Sequence, residues 1–71
     1  MKYMVVVEQG IESWGAYVPD LPGCVAAAES RDEVLRLIQE AIELHLEALR
    51  SEGLAVPAPH SSSELVEIES A

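Results

Sequence analysis

Positive charge is what this sequence has least of. Its 71 residues include four lysines and arginines against 13 aspartates and glutamates, a net charge of −9. A chain that grips nucleic acid must neutralise phosphates with a basic footprint, so direct DNA or RNA binding is excluded for this chain alone. An anionic membrane surface is disfavoured for the same reason. Cysteine is almost as scarce: Cys24 stands alone and cannot form an internal disulfide. With only His45 and His60 beside it, the Cys/His spacing of a metal cluster is missing, and neither a metal nor a cofactor is expected. Long apolar runs are missing too. The opening stretch ends at Glu8, too short for a signal-peptide core or a bilayer span, which makes the cytoplasm the expected location. There is no glycine-rich phosphate loop, no nucleophile elbow and no internal repeat.

Apolar residues, in contrast, are plentiful at 49%, far more than a disordered acidic chain carries. The length allows one small domain, expected to cover residues 1–71. A chain this short buries only roughly 60% of its unfolded surface, so its own core is marginal. With disulfide and metal excluded, oligomerisation is the expected supplement.

Residues 2–8 read as a strand with Tyr3, Val5 and Val7 on one face and Met4 and Val6 on the other. Two apolar faces predict a central strand, or one covered on both sides. Gly10 marks a hairpin connection, and residues 14–18 return with Trp14, Ala16 and Val18 on one side and Tyr17 on the other. Pro19, Pro22 and Gly23 break the chain in a defined turn, and residues 25–29 form a third strand of small residues. Ser30 and Glu33 have capping-box spacing at the start of a helix that runs to about Glu52, where Gly53 can take the left-handed stop. On that helix Val34, Leu37, Ile38, Ala41, Ile42, Leu44, Ala48 and Leu49 form an apolar arc extended by Leu35 and Leu46. The arc spans roughly 200°, about twice what packing on one sheet requires, so a second subunit is expected over Leu35, Ile42, Leu46 and Leu49. Residues 53–63 read as a loop with Pro57 and Pro59, and residues 64–69 as a short edge strand with charged flanks. The expected fold is therefore α+β in the order β-β-β-α-β, one small, mainly antiparallel sheet on one long amphipathic helix.

Few side chains suggest catalysis. His45 lies in the apolar arc without a second ligand or nucleophile at helical spacing, which fits a core or interface histidine. His60 reads as solvated. Cys24 has no neighbouring cation to lower its pKa and reads as a small buried hydrophobe. Glu8, Asp20 and Glu29 sit near strand ends, where their convergence on Mg²⁺ would make a nuclease; no motif fixes them there. Trp14 fits either core packing or an exposed binding anchor.

The run Tyr17-Val18-Pro19-Asp20-Leu21-Pro22-Gly23-Cys24 is the most distinctive part of the chain. With the opening Lys2-Tyr3-Met4-Val5-Val6-Val7 and the helix segment Glu40-Ala41-Ile42-Glu43-Leu44-His45-Leu46-Glu47, it resembles the HicB-like antitoxin family over roughly residues 1–55. The resemblance implies a fold likened to a partial ribonuclease H domain. It also implies a non-enzymatic role: oligomerising as a dimer or tetramer and covering the active site of a small basic, mRNA-cleaving toxin of HicA type. An acidic chain suits such a partner. Many relatives carry a C-terminal DNA-binding domain; none is expected here. The strand before the helix, Ala26-Ala27-Ala28-Glu29-Ser30, also lacks the glycine and threonine often seen there. The expected partner-binding residues are Trp14 and Tyr17 as aromatic anchors, Asp20 as the group facing a basic partner, and Pro19, Leu21 and Pro22 as a rigid scaffold. That turn could equally hold the sheet in register. The alternatives are an oligomeric module of the same fold with another partner and, from a different class, the Mg²⁺-dependent nuclease.

Overall fold

In the computed structural model, which describes residues 1–70, three short strands and one long helix form. Strands β1 (Val6–Gln9), β2 (Trp14–Tyr17) and β3 (Val25–Ala28) make an antiparallel sheet in the order β1-β2-β3. The register pairs Val7 with Ala16 and Ala16 with Ala26, and one residue along it pairs Val6 with Tyr17 and Tyr17 with Val25. Because successive strand side chains alternate, the first row lies on one face and the second on the other.

Helix α1 (Arg31–Ser51) covers the first face, packing most closely on β3 and least on β1. The alanines of β3 are the physical reason, since short side chains let a helix axis approach. The helix ends are fixed as the sequence predicts. Ser30, in extended backbone, accepts a hydrogen bond from the Glu33 N–H at 3.2 Å. At the other end the Gly53 N–H donates to Arg50 and the Leu54 N–H to Leu49, with Gly53 at φ +72°, a Schellman stop.

The core gathers Ala16 from β2, Val18, Leu21 and Cys24 from the loop after it, and Val34, Ile38 and Leu46 from α1. Leu21, Val34 and Ile38 are completely enclosed, and each such side chain contributes about 1.5–3 kcal/mol through burial. Cys24 is buried among them, and burial pushes its thiol pKa up.

Two sequence-based expectations are not met. The first strand is not central: β1 is the outermost strand, and among the described residues its far edge has no neighbouring strand. The strand expected over 64–69 does not form either, because residues 54–68 take no regular secondary structure. The two differences share a cause. A strand forms only against another strand, and the chain after α1 does not run along the open edge of β1. It crosses the end of the sheet instead: the Tyr3 hydroxyl donates to the Pro57 carbonyl, and residues 60 and 61 bond to Asp20. The remaining chain projects outward. The molecule measures 49 × 27 × 17 Å with a radius of gyration of 14.2 Å, against ~11 Å for a compact domain of this length.

Candidate functional site

The distinctive run of the sequence folds into two successive turns. The Leu21 N–H donates to the Val18 carbonyl at 3.1 Å and the Cys24 N–H to the Leu21 carbonyl at 3.0 Å. The second turn has Pro22 and Gly23 at its centre with Gly23 at φ +85°, the residue types that a type II turn requires. A third bond, from the Val18 N–H to the Cys24 carbonyl, closes the loop at its base.

This geometry sends alternate parts of the motif in opposite directions. Val18, Leu21 and Cys24 point into the core, whereas Pro22 is exposed and Pro19 half-buried. Asp20 is only 4% exposed and its carboxylate is fully engaged. The backbone N–H groups of His60 and Ser61 both donate to Oδ2 at 2.9 Å, and the Ser61 hydroxyl donates to Oδ1. The His60 ring lies alongside, its Nε2 3.2 Å from Oδ1. The Ser61 hydroxyl and backbone bonds, then that of His60, hold the Asp20 pKa down at about 2 despite burial.

Two of the expected partner-binding residues are thereby reassigned. Asp20 does not face outward, because its oxygens hold residues 60–61. Leu21 is a core residue with no exposed surface. His60 is a side chain of this latch as well as a solvated one, since its ring remains largely exposed. Trp14 and Tyr17 are not brought together either. Trp14 is half-buried on the helix-covered face, where it packs against the core, whereas Tyr17 is 41% exposed on the opposite face.

That opposite face is the candidate site. Val6, Tyr17 and Val25 lie side by side across all three strands, with Glu8, Gly15 and Ala27 in the next row. Val25 is 64% exposed and Ala27 is also open. Among the described residues nothing covers this face, no pocket indents the surface, and no three metal-ligating side chains cluster. Glu8, Asp20 and Glu29 accordingly do not form a carboxylate site. A flat, largely apolar sheet face rimmed by Glu8 is suited to contact with another protein. Val25 was missing from the sequence-based set; its pairing with Tyr17 across the strands is the signal that identifies it.

The expected helix interface is mixed. Leu46 belongs to the chain's own core, Ile42 and Leu49 pack against that core with part of their surface, and Leu35 is half-buried. Leu44, at 67% exposure, is the most open large apolar residue of α1. His45 is half-buried beside it, with no hydrogen bond from its ring among the described residues.

Residues 3–70 match the family described as HicB-like antitoxin of bacterial toxin–antitoxin system. The chain belongs to the HicB-like antitoxin family. Among its relatives, a UPF0150 protein of Helicobacter pylori is 46% identical over 50 residues, covering 70% of this chain and 69% of the relative. A UPF0150 protein of Archaeoglobus fulgidus is 40% identical over 52 residues, covering 72% and 75%. A solved structure, the HicA3 and HicB3 toxin–antitoxin complex, contains a chain that superposes with a TM-score of 0.68 at 29% identity, over 83% of this chain and 72% of that one. In this HicB-like chain, the double turn that carries the family resemblance contributes Val18, Leu21 and Cys24 to the core. Among the described residues, no helix is long and apolar enough to cross a membrane.

Proposed function

We propose that this chain is a non-enzymatic antitoxin that binds a small basic ribonuclease toxin of HicA type and covers its active site. The observation that carries the reading is the uncovered sheet face bearing Tyr17 and Val25, in a chain whose fold superposes on a chain of the HicA3 and HicB3 complex. An exposed tyrosine is one of the residue types enriched at interface centres. The net charge of −9 favours a basic partner and speeds its encounter. In this reading Tyr17, Pro22 and Val25 contact the toxin. Pro19 stiffens the loop beside them, while Asp20 and Leu21 hold that loop in place. Both proteins meet in the cytoplasm, where the toxin's mRNA substrate is.

The test is co-expression of the tagged chain with the small reading frames beside its gene, followed by native mass spectrometry of the purified species. A small basic protein retained in fixed stoichiometry is the expected result, with RNA cleavage by that protein suppressed when this chain is added. The double variant Tyr17→Ala/Val25→Asp should keep the fold and lose the partner. Retention of the toxin by that variant at unchanged affinity would remove the sheet face from the interface.

A further inference from the structure

We propose that residues 57–61 are a clasp that keeps the end of the β1–β2 ladder closed, and that Tyr3 and Ser61 are thereby positioning residues for the partner-binding row Val6, Tyr17 and Val25. Partner binding and clasp closure then favour each other. The partner in this inference is that of the antitoxin reading; the clasp itself does not depend on it.

The row in question is the last one of the β1–β2 ladder. At the hairpin end the Gly10 N–H donates to the Ser13 carbonyl at 2.7 Å, which makes these two a hydrogen-bonded pair. Bonded and unbonded pairs alternate in an antiparallel ladder, so Glu8–Gly15 and Val6–Tyr17 are the next bonded pairs. The step after that would pair Met4 with Pro19. Proline has no N–H to give, and among the described residues no backbone hydrogen bond joins residues 1–5 to residues 18–24. The other side of β2 differs. There the Val18 N–H reaches the Cys24 carbonyl at 3.2 Å and carries the pairing with β3 one residue beyond Tyr17 and Val25. Tyr17 is therefore secured towards β3 and stands at a fraying end towards β1.

The crossing segment closes that end. Continued past Val6 and Tyr17, the register sets Tyr3 opposite Asp20. These are the two residues the segment grips. The Tyr3 hydroxyl donates to the Pro57 carbonyl, and Asp20 accepts the N–H groups of His60 and Ser61 together with the Ser61 hydroxyl. Pro57 and Pro59 fix two φ angles of the bridge, which leaves it little slack. Among the described residues, Asp20 has no donor outside residues 60 and 61, and its side chain is only 1% exposed. A segment that lifts away strips this carboxylate of every protein donor, so closure is strongly favoured.

Neither hydroxyl belongs to the partner's face. Tyr3 packs against the core on the helix-covered side and Ser61 is turned towards buried Asp20, whereas Tyr17 and Val25 stand on the uncovered face. Their influence on a partner passes through the position of Tyr17 relative to Val6. By linkage, a partner that binds the closed row tightens the clasp by the same factor as the clasp tightens the partner.

The experiment combines amide hydrogen exchange of the full chain with affinity for the toxin captured by co-expression. Tyr3→Phe/Ser61→Ala removes both hydroxyls and leaves the net charge at −9. Exchange at Val6 and Tyr17 should accelerate by at least roughly fivefold for two lost hydrogen bonds. Ala16, whose N–H faces β3, should keep its rate. The toxin should bind the variant more weakly, and in the wild type its binding should slow exchange at His60 and Ser61. Ser61→Thr keeps a hydroxyl and should match the wild type in both readouts, where Ser61→Ala does not. Unchanged exchange at Val6 and Tyr17 overturns the clasp. Faster exchange with unchanged affinity overturns the coupling to the partner, and equal losses in Ser61→Thr and Ser61→Ala remove the hydroxyl from it. Should the double variant fail to fold, the wild type decides. Val6, Tyr17, His60 and Ser61 should then open as one unit with a common urea dependence, and Tyr17 opening only together with Ala16 overturns the clasp. Failure to capture a toxin counts against the antitoxin reading, while the exchange readout still judges the clasp, so the two can fail separately.

Discussion

Two stretches of this chain have nearly the same local chemistry and opposite fates. Residues 18–24 and 54–70 both lack helix and strand, and each contains two prolines, Pro19 and Pro22 in one, Pro57 and Pro59 in the other. The first is among the most enclosed parts of the molecule, with Val18, Leu21 and Cys24 in the core and three backbone hydrogen bonds closing it on itself. The second is pinned only between residues 56 and 61 and then projects with Leu65, Val66 and Ile68 in water. The contrast shows that irregular backbone is fixed or loose according to where its side chains and backbone polar groups go. Prolines alone do not decide it.

The largest test of that contrast is to truncate one leucine from each stretch. Leu21→Ala should lower unfolding stability by about 2–5 kcal/mol, the usual loss for a fully enclosed leucine. Leu65→Ala should change it by less than about 0.5 kcal/mol, as for an exposed site. Urea denaturation of both variants gives the comparison directly. Equal losses would mean that Leu65 is packed against the rest of the chain. A smaller effect belongs to Gly23. A Cβ there would meet nothing within 4 Å, so Gly23→Ala probes backbone conformation without a clash. At φ +85° the left-handed conformation should cost about 1–2 kcal/mol. A Gly23→Ala variant as stable as wild type would refute the left-handed turn.

How much of this was legible in the sequence differs between the same two stretches. The helix and its ends could be read residue by residue, because Ser30 and Gly53 act through local backbone chemistry alone. The faces of the first two strands were legible for the same reason: period-two alternation put Tyr3, Val5 and Val7 opposite Met4 and Val6. The motif 17–24 was visible as a constrained turn, but its direction was not. Asp20 looks like a surface carboxylate in sequence because the groups that engage it, the N–H groups of residues 60 and 61 and the Ser61 hydroxyl, lie 40 and 41 residues away. Alternation in 64–69 suggested a strand that does not form, because a strand needs an edge beside it, and the path past Tyr3 and Asp20 takes the chain away from one. Tyr17 was legible as an exposed aromatic; Val25 was not, since its exposure depends on which face the helix covers.

The next test weakens the anchor of the second stretch. Tyr3→Phe removes the hydroxyl that donates to the Pro57 carbonyl and leaves the ring in place. A hydrogen bond of this kind contributes about 0.5–1.5 kcal/mol net, and most of its loss should appear as local opening. Amide exchange should accelerate at residues 56–61 while α1 is unaffected. Acceleration spread evenly over α1 and the sheet would show that the crossing segment is an integral part of the core.

The finest distinction is electrostatic. Asp20 has its pKa lowered from 3.8 to about 2 by hydrogen bonds that exist only when residues 60 and 61 are docked. A depressed carboxylate pKa contributes stability that is fully present above the unfolded value and is lost as pH falls through the folded one. The docking of residues 60–61 should therefore be intact above about pH 4 and weaken progressively towards pH 2. The sign is opposite to that for a carboxyl simply buried in apolar surroundings, whose raised pKa would favour docking in acid. NMR of the His60 and Ser61 amides reads this window without needing a global transition. Their shifts should titrate near 2, and the titration should vanish in Asp20→Asn, which keeps an acceptor oxygen but cannot ionise. Amides that titrate near 4 would show that the carboxylate is solvated and that residues 54–70 are loose along their whole length.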